Sequence, residues 1–568
     1  MAGRGKRSTG RRPAGRRTAQ PRPTGARALV EQLEVLGVEV VFGLPGVHNL
    51  AIFDALRSSS IRTIVTRHEQ GAAYAADGYA RATGKLGVCV TTTGPGAANT
   101  AAAMGEARAS RSPVLHISTQ SETRILENRT GRFSLHESPQ QRELMGAVTR
   151  WTATVVRAEA IPSMVARAST EAFAARRGPV FLEIPFDLLA EPVRWTPRKP
   201  VPGYGSDPDP PAVQRAAARL AASKRPVIWA GGGAVSSGAA GALLAVAERL
   251  DAPVVTTFAG KGIVRADHPL AVGFPPHQPE VTSLLRSSDA VLVVGSDLDG
   301  MNTQGWRIPL PRPRVAINRV AEDARRNYAS EVIIDADATA GLEQLVSLLP
   351  SRRRGAGARR AAKARDAADA ALKASKEFKG PYLFVRRIEQ DLPEDGIVIA
   401  DMAVAGYWMA AYHRPGAPRR FQYPMGWGTL GFALPAAIGA AASGARVLVV
   451  TGDGGLMFAP GELATLVQER LPVTVLVVND GGYGMLKFDE RERFGDTFAA
   501  DLHTPELVGL AQAFGMDARR ATQRDLPKAL RDAFALDGPS LVELRAAFPP
   551  PLTTSPRWPL KGKKEERP

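Results

Sequence analysis

The sequence predicts an α/β protein made of three doubly wound parallel-sheet domains behind a disordered basic N-terminal tail. With 568 residues, the chain is too long for one hydrophobic core. Short apolar strands alternate with helical segments in three successive runs, which is the pattern of parallel sheets covered by helices. The predicted parts are a tail over 1–24, domains over 25–193, 205–350 and 380–548, a basic linker over 351–379 and a C-terminal tail over 549–568.

The first run opens with a helix, because Leu29, Leu33 and Leu36 are spaced i, i+4 and i+7 and Thr24 stands near its start. The apolar stretches VEVVFG, IRTIVTR and LGVCVTTT then alternate with helical segments until about Val193. The Pro-rich stretch PRKPVPGYGSDPDPP separates this run from the second, which begins with PVIWAGGG. The third run starts after the Ala-rich basic linker and closes with PSLVELRAAF.

The net charge of +17 belongs to the tails and the linker rather than to the domains. Residues 1–30 carry nine Lys/Arg and no acid, 351–379 carry ten basic and three acidic residues, and 549–568 carry five and two. The rest of the chain is close to neutral. A disordered, solvated tail is the reading that this composition favours, with contact to nucleic acid or a membrane surface by the tail as an alternative. No base-reading motif supports a nucleic-acid partner.

The sequence lacks both a membrane-spanning segment and paired cysteines, and these two features indicate the cellular compartment. No apolar run reaches 18 residues, so no membrane span is expected. The single cysteine, Cys89, excludes an intramolecular disulfide framework. We therefore predict a soluble cytoplasmic protein.

Acidic side chains end two apolar strands of the third run. VLVVT leads into Gly452, Asp453, Gly454 and Gly455, and VTVLVVN leads into DGGYG, which contains Asp480. The carboxyl ends of parallel strands form the ligand side of an open sheet. Two carboxylates with exposed backbone carbonyls suit Mg²⁺ or Ca²⁺.

A glycine-rich turn that opens a helix also offers N–H groups to a phosphate. The pattern therefore predicts a metal-bridged diphosphate. An ordinary strand-to-helix turn is the alternative, which the second acidic turn, 27 residues further on, makes less favourable.

These motifs resemble the thiamine diphosphate enzymes of the acetolactate synthase and 2-oxo acid decarboxylase group, whose signature is Gly-Asp-Gly, about 25 residues, and Asn-Asn. The likeness covers roughly 25–548 and implies pyrimidine-binding, central and diphosphate-binding domains. Here GDGG at 452–455 is followed by NDGGYG at 479–484, with an Asp in place of the second Asn. The resemblance implies that Mg²⁺ is held by Asp453, Asp480 and the carbonyl of Gly482. The coenzyme-binding residues that it implies include Gly454, Gly455 and Tyr483.

The stretch RHEQGAAYAADGYARATGKLGVCVTTTGPGAAN is similar to acetolactate synthase over its whole length. This resemblance implies that Glu69 acts on ring N1′ of the coenzyme. A charge that complements a helix N-terminus is the alternative role for Glu69. In GWGTLGFALPAAIGAA, the likeness places Leu430 under the coenzyme and the carbonyl of Gly428 at its 4′-amino group. The backbone of DMAVAG, 401–406, aligns with a loop that touches the diphosphate. In the family, the glutamate and the metal site come from different subunits, so a homodimer or homotetramer with interface active sites is expected.

The type of reaction depends on side chains above the coenzyme. By similarity, His48 in FGLPGVHNL and His136 in RFSLHESPQQ lie near the site, where imidazole suits proton transfer. Asp489 takes the place of a Trp of acetolactate synthases. Asp297 in GSDLDGMN replaces an Arg of the segment that holds FAD in those enzymes. This replacement argues against FAD binding without excluding it. LHESPQQ looks more like members that decarboxylate longer or guanidino 2-oxo acids.

Three functions are therefore held in parallel. The first is a thiamine diphosphate- and Mg²⁺-dependent enzyme that adds the coenzyme ylid to a small 2-oxo acid, loses CO₂, and then ligates a second carbonyl compound or releases an aldehyde. The second is a non-ligating decarboxylase of a longer or guanidino 2-oxo acid. The third is a non-catalytic relative that acts as a scaffold or regulatory subunit.

Overall fold

The structure is a computed structural model that describes residues 23–126, 132–199, 207–352 and 355–554. The predicted disordered tail over 1–24, apart from its last two residues, and most of the predicted C-terminal tail lie outside the described residues. Within the described part, no helix is both long enough and apolar enough to cross a membrane.

The first domain contains strands β1–β6 and helices α1–α8. Its strands are Val40–Gly43, Arg62–Val65, Gly87–Thr91, Val114–Gln120, Trp151–Thr154 and Val180–Pro185. Its helices are Gly25–Val35, Leu50–Arg57, Glu69–Thr83, Pro95–Ala98, Ala101–Ala109, Thr123–Leu126, Gln141–Val148 and Ile161–Ala172. The sheet is parallel, in the order β2-β1-β3-β4-β6-β5. As predicted, Thr24 caps α1, because its hydroxyl accepts from the N–H of Arg27.

The central domain contains β7–β11 and α9–α14. Its strands are Pro226–Ala230, Val254–Thr256, Ala290–Val294, Arg314–Asn318 and Val332–Asp335. Its helices are Pro210–Ala222, Gly232–Ser236, Ala240–Leu250, Pro279–Arg286, Ala321–Arg326 and Ala338–Leu348. The parallel sheet has the order β11-β10-β9-β7-β8.

The segment predicted as a basic linker contains a further helix, α15, Ala356–Ala374. Its buried residues include Ala361, Ala364 and Ala368, which are spaced three and four apart and therefore form one face. This face packs in a core shared with α12 (Pro279–Arg286). Composition alone indicated a linker, whereas the spacing of small apolar residues carried the signal for a packed helix.

The third domain contains α16–α23 and β12–β17. Its strands are Ile397–Ala400, Phe421–Gln422, Val447–Gly452, Val473–Asn479, Asp517–Ala521 and Ser540–Arg545. Its helices are Lys379–Asp391, Val404–Tyr412, Ala433–Ala442, Asp453–Leu456, Glu462–Gln468, Gly484–Phe494, Leu507–Ala513 and Leu526–Phe534. The parallel sheet has the order β13-β12-β14-β15-β17-β16. The predicted class, three parallel-sheet α/β domains, is confirmed.

Helices α3 and α18 join the first and third domains within the chain. They approach so closely that a Cβ at Gly78 or Gly439 would collide with the carbonyl of Ala436 or Ala75. Small residues permit this contact, and the two helices share one buried core. The relative placement of the two domains therefore depends on close backbone packing rather than on a flexible tether.

Candidate functional site

Asp453 lies directly after β14 and is completely buried. Its Oδ2 accepts a 2.6 Å hydrogen bond from the hydroxyl of Thr504, and its Oδ1 lies 3.4 Å from the donating backbone N–H of Asp480. Both donors are neutral groups, so neither offsets the negative charge. A buried carboxylate in this environment is favourable only when a cation joins it.

Asp480 follows β15, which runs beside β14 in parallel register, so the two carboxylates lie at the same edge of the sheet. Burial and the negative charge of Asp453 raise the pKa of Asp480 to about 6, against the effect of Lys487. The ammonium of Lys487 is engaged elsewhere, at 2.8 Å from the carbonyl of Gly481 and 2.7 Å from Asp501. Two carboxylates that repel each other form a suitable site for a divalent cation with oxygen ligands.

The glycines around these acids are required by close packing as well as by any ligand. Gly482 has a φ of +147°, and a Cβ there would collide with the carbonyl of Ala500. The N–H of Tyr483 donates to that carbonyl at 2.9 Å. A Cβ at Gly454 would come within 2.9 Å of the Tyr483 ring. The turn at Gly454 therefore packs against Tyr483, and its glycines line the cleft.

Asp401, directly after β12, is a site residue that the motif comparison missed, because it gave only the backbone of this loop a role. Its carboxylate accepts hydrogen bonds from the N–H of Met402 (2.8 Å), the N–H of Gly431 (3.2 Å) and the hydroxyl of Thr451 (3.2 Å). Burial raises the pKa of Asp401 to about 6. A Cβ at Gly455 would lie 3.1 Å from its Oδ2. The signal in the sequence was the same as for Asp453, a carboxylate at the end of the apolar strand IVIA.

A cleft with about 850 Å³ of empty space, part of it open to solvent, lies over these strand ends. All lining residues in the described part of the chain lie between 402 and 548. They include an apolar side chain, Leu430, beside Gly428, which has a φ of +71°. The structure thus brings together these predicted residues: Gly428, Leu430, Gly454, Gly455, Asp480, Gly482 and Tyr483. Asp453 is buried behind them.

Glu69 is in the first domain and does not line this cleft. It is the first residue of α3, and its Oε2 accepts a 3.0 Å hydrogen bond from Nδ2 of Asn99. A Cβ at Gly96 would lie 3.5 Å from its Oε1. This position is compatible with a coenzyme role and also with the alternative, a negative charge at a helix N-terminus.

His48 and His136 form a pair in the first domain. Their ring centroids are 5.4 Å apart in an edge-on arrangement, and His48 stacks on Phe186 at 4.7 Å. Within the described part of the chain, neither buried Nδ1 has a hydrogen-bond partner. Burial, followed by the charge of His136, lowers the pKa of His48. The two histidines, which were predicted separately, thus form one cluster. Within it, the lowered pKa of His48 favours the neutral form of that imidazole.

Asp297, at the place of the FAD-segment arginine, lies in the central domain. It accepts from Arg111 of the first domain at 3.3 Å, and Arg111 also donates to Asp323 at 2.9 Å. Burial raises the pKa of Asp297. This acid therefore takes part in a contact between domains.

Comparisons with known proteins match all three domains. Three family profiles match: thiamine pyrophosphate enzyme N-terminal binding domain over 23–144, central domain over 213–345, and C-terminal binding domain over 401–544. The chain belongs to the thiamine pyrophosphate enzymes. It is therefore a thiamine diphosphate-dependent enzyme of the acetolactate synthase and 2-oxo acid decarboxylase group, as the motifs indicated.

Similar proteins cover nearly the whole chain. A Pseudomonas aeruginosa protein named probable 2-ketoarginine decarboxylase is 38% identical, over 92% of this chain and 94% of its own length. A probable acetolactate synthase large subunit of Methanocaldococcus jannaschii is 31% identical, over 92% and 91%. An acetolactate synthase of Mycobacterium bovis is 30% identical, over 92% and 87%. The family membership supports an enzyme over a non-catalytic scaffold.

The residues at the cleft fit the coenzyme of this family. The glycine turn beside Asp453 leaves backbone N–H groups for a diphosphate, and Leu430 offers an apolar support. In the described residues, no group of three or more His, Cys, Asp or Glu forms a metal site. Asp453 and Asp480 bring two carboxylates to one edge of the sheet, and Mg²⁺ uses few protein ligands when a phosphate supplies others.

Proposed function

We propose that the protein decarboxylates a 2-oxo acid with thiamine diphosphate and Mg²⁺. One observation carries the proposal: Asp453 and Asp480 lie close together at the ends of adjacent strands, at the base of a glycine-lined cleft that contains Leu430. Thiamine diphosphate supplies a carbon nucleophile and a sink for the electrons left by CO₂. The chain's own residues bind the coenzyme, orient it and move protons.

In this proposal Mg²⁺ is held by Asp453, Asp480 and the carbonyl of Gly482. Thr504 would support the metal site, because its hydroxyl donates to Oδ2 of Asp453 and so orients that carboxylate. A bound metal ion would offset the repulsion between the two carboxylates. Asp401 has a different role. Its carboxylate accepts from the backbone N–H groups of Met402 and Gly431, and so ties together the two loops to which these residues belong.

Glu69 would hold a proton at N1′ of the coenzyme, and we propose that it does so from a second copy of the chain. The cleft is lined from 402–548, whereas Glu69 is bound to Asn99 in the first domain. Large apolar side chains are exposed in both the first and the third domain, and this supports an interface between two copies of the chain. They are Val47, Leu50, Phe133 and Leu135 in the first domain and Trp427, Phe458, Phe494 and Phe498 in the third.

The pair of His48 and His136 would supply protons on the substrate side of a site completed by the second copy. An imidazole with an unpaired nitrogen can accept a proton there and, once protonated, pass it to a carbanion. This capacity favours protonation of the decarboxylated product and release of an aldehyde.

The similarity to the Pseudomonas aeruginosa protein named probable 2-ketoarginine decarboxylase supports a long 2-oxo acid as the substrate. A second candidate reaction, ligation of two carbonyl compounds, is supported by the similarity to acetolactate synthases. A proton NMR time course with coenzyme, Mg²⁺ and either pyruvate or a longer 2-oxo acid separates these candidates. An aldehyde from the longer acid supports decarboxylation, and acetolactate from pyruvate supports ligation. If neither acid is consumed, the proposal is wrong.

A further inference from the structure

The start of helix α3, which carries Glu69, is held by a side chain of the third domain. Oε1 of Glu462, the first residue of α20, accepts hydrogen bonds from the backbone N–H groups of Arg67 at 3.0 Å and His68 at 3.1 Å. These two residues immediately precede Glu69 in the chain. The first turn of α3 is therefore tied to the domain that contains Asp453.

The carboxylate of Glu462 is itself fixed in one place. Its side chain is buried, and its Oε2 accepts a 2.7 Å hydrogen bond from the hydroxyl of Thr465. Burial raises the pKa of Glu462, whereas the hydrogen bonds that it accepts favour the charged form. A buried carboxylate is costly unless donors meet it, so this contact depends on the geometry of the donors.

Gly71 provides the room for this contact. A Cβ at Gly71 would lie 2.3 Å from Oε1 of Glu462. Gly71 lies inside α3 and has no positive φ, so its own backbone conformation does not require glycine. Because alanine favours a helix more than glycine does, the missing side chain serves the close approach of Glu462.

Two further contacts join the same parts of the chain at the surface. Arg62 forms a 2.9 Å ion pair with Glu469, and the guanidinium of Arg67 donates to Gln468 at 2.8 Å. Such exposed contacts contribute little, because water and salt compete for them. Among these ties, Glu462 is the one that holds the main chain beside Glu69 from a buried position.

We infer that Glu462 is a positioning residue, which fixes the main chain at Arg67 and His68 and so sets the place of the Glu69 carboxylate. This inference rests on the proposed function, in which Glu69 holds a proton at N1′ of the coenzyme. A reacting group that is misplaced by about 1 Å can lose about 100-fold in rate. A fixed main chain just before Glu69 therefore bears directly on activation of the coenzyme.

The test measures how fast the C2 proton of bound thiamine diphosphate exchanges for deuterium, with the full chain, Mg²⁺ and no substrate. Samples are quenched with acid at set times, and the remaining proton is measured by NMR. Glu462→Ala should slow the exchange about 10- to 100-fold. Glu462→Gln keeps an oxygen that can accept from both N–H groups, so its exchange should stay within about threefold of the wild type.

A second variant perturbs the same contact without removing the glutamate. The Cβ of Gly71→Ala should push the carboxylate of Glu462 off the two N–H groups and slow the exchange, while the helix keeps a residue that favours it. In the Glu462→Ala background the same change has room and should add nothing. The matched control is Glu469→Ala, which removes a surface tie between the same two domains and should exchange like the wild type.

A double-mutant comparison separates positioning from a general structural role. In a Glu69→Gln chain, Glu462→Ala should cause no further slowing, because its effect passes through Glu69. A further slowing by the same factor would overturn the inference, and so would wild-type exchange in Glu462→Ala. Wild-type exchange in Glu69→Gln would instead remove the role that the proposed function gives to Glu69.

Discussion

Subunit complementation tests whether the active site is built from two chains. The perturbation combines a Glu69→Gln chain with an Asp453→Asn chain. Each substitution keeps the side-chain volume and removes one charge, and each parent protein should be inactive. In the proposed arrangement, every active site uses Glu69 of one chain and Asp453 of the other.

The expected magnitude follows from how the two substitutions are distributed. In a mixed dimer, one site receives both substitutions and the other receives neither, so half of the sites are intact. A random mixture, in which half of the dimers are mixed, should regain about one quarter of the wild-type activity. If Glu69 and Asp453 of the same chain formed a site, every site would carry one substitution and no activity would return.

The assay is coexpression of the two chains with different affinity tags, followed by purification on both tags. Decarboxylation of a 2-oxo acid is then measured per dimer and compared with wild-type protein purified in the same way. We expect about half of the wild-type rate. Glu69→Gln carried on both tagged chains is the control for contamination. Doubly tagged mixed dimers that are as inactive as the parents would refute the two-chain site.

Three further predictions concern binding and stability. Thiamine diphosphate and Mg²⁺ at 100 times their Kd should stabilise the wild type by about 2.7 kcal/mol, and Asp453→Asn should lose most of this thermal shift; an undiminished shift would exclude Asp453 as a metal ligand. Gly482→Ala should also lose the shift and unfold more easily by about 1–3 kcal/mol, because its Cβ meets the carbonyl of Ala500 at a φ of +147°. Gly380→Ala, where a Cβ meets nothing, is its control. Burial lowers the pKa of His116 from 6.5 to about 3, so the unfolded chain binds a proton below pH 6.5 that the folded chain does not. Stability should therefore fall by about 2 kcal/mol from this group between neutral pH and pH 5. In chemical denaturation His116→Gln should show a shallower acid dependence than the wild type, and equal slopes would contradict this.

The sequence predicted the parts of the site that are local in the chain. Asp453 and Asp480 each follow an apolar strand, and the rule that parallel strands end at one edge was enough to pair them. Thr504, 51 residues after Asp453, had no such signal, because a threonine that contacts a distant carboxylate leaves no periodic trace. Helix α15 was missed for a related reason, since its buried face consists of alanines whose composition resembles that of a linker.

Asp401, Asp453 and Asp480, at the strand ends of the third domain, differ in their hydrogen-bond partners, and this supports different roles in the proposed function. Asp401 accepts from three donors, so most of its capacity is used inside the protein, and it organises loops. Asp453 and Asp480 lie close together, and in the proposed function a metal ion would relieve the repulsion between them. The donors around each carboxylate, rather than its place in a motif, therefore separate the structural role from the metal-binding role in the proposed function.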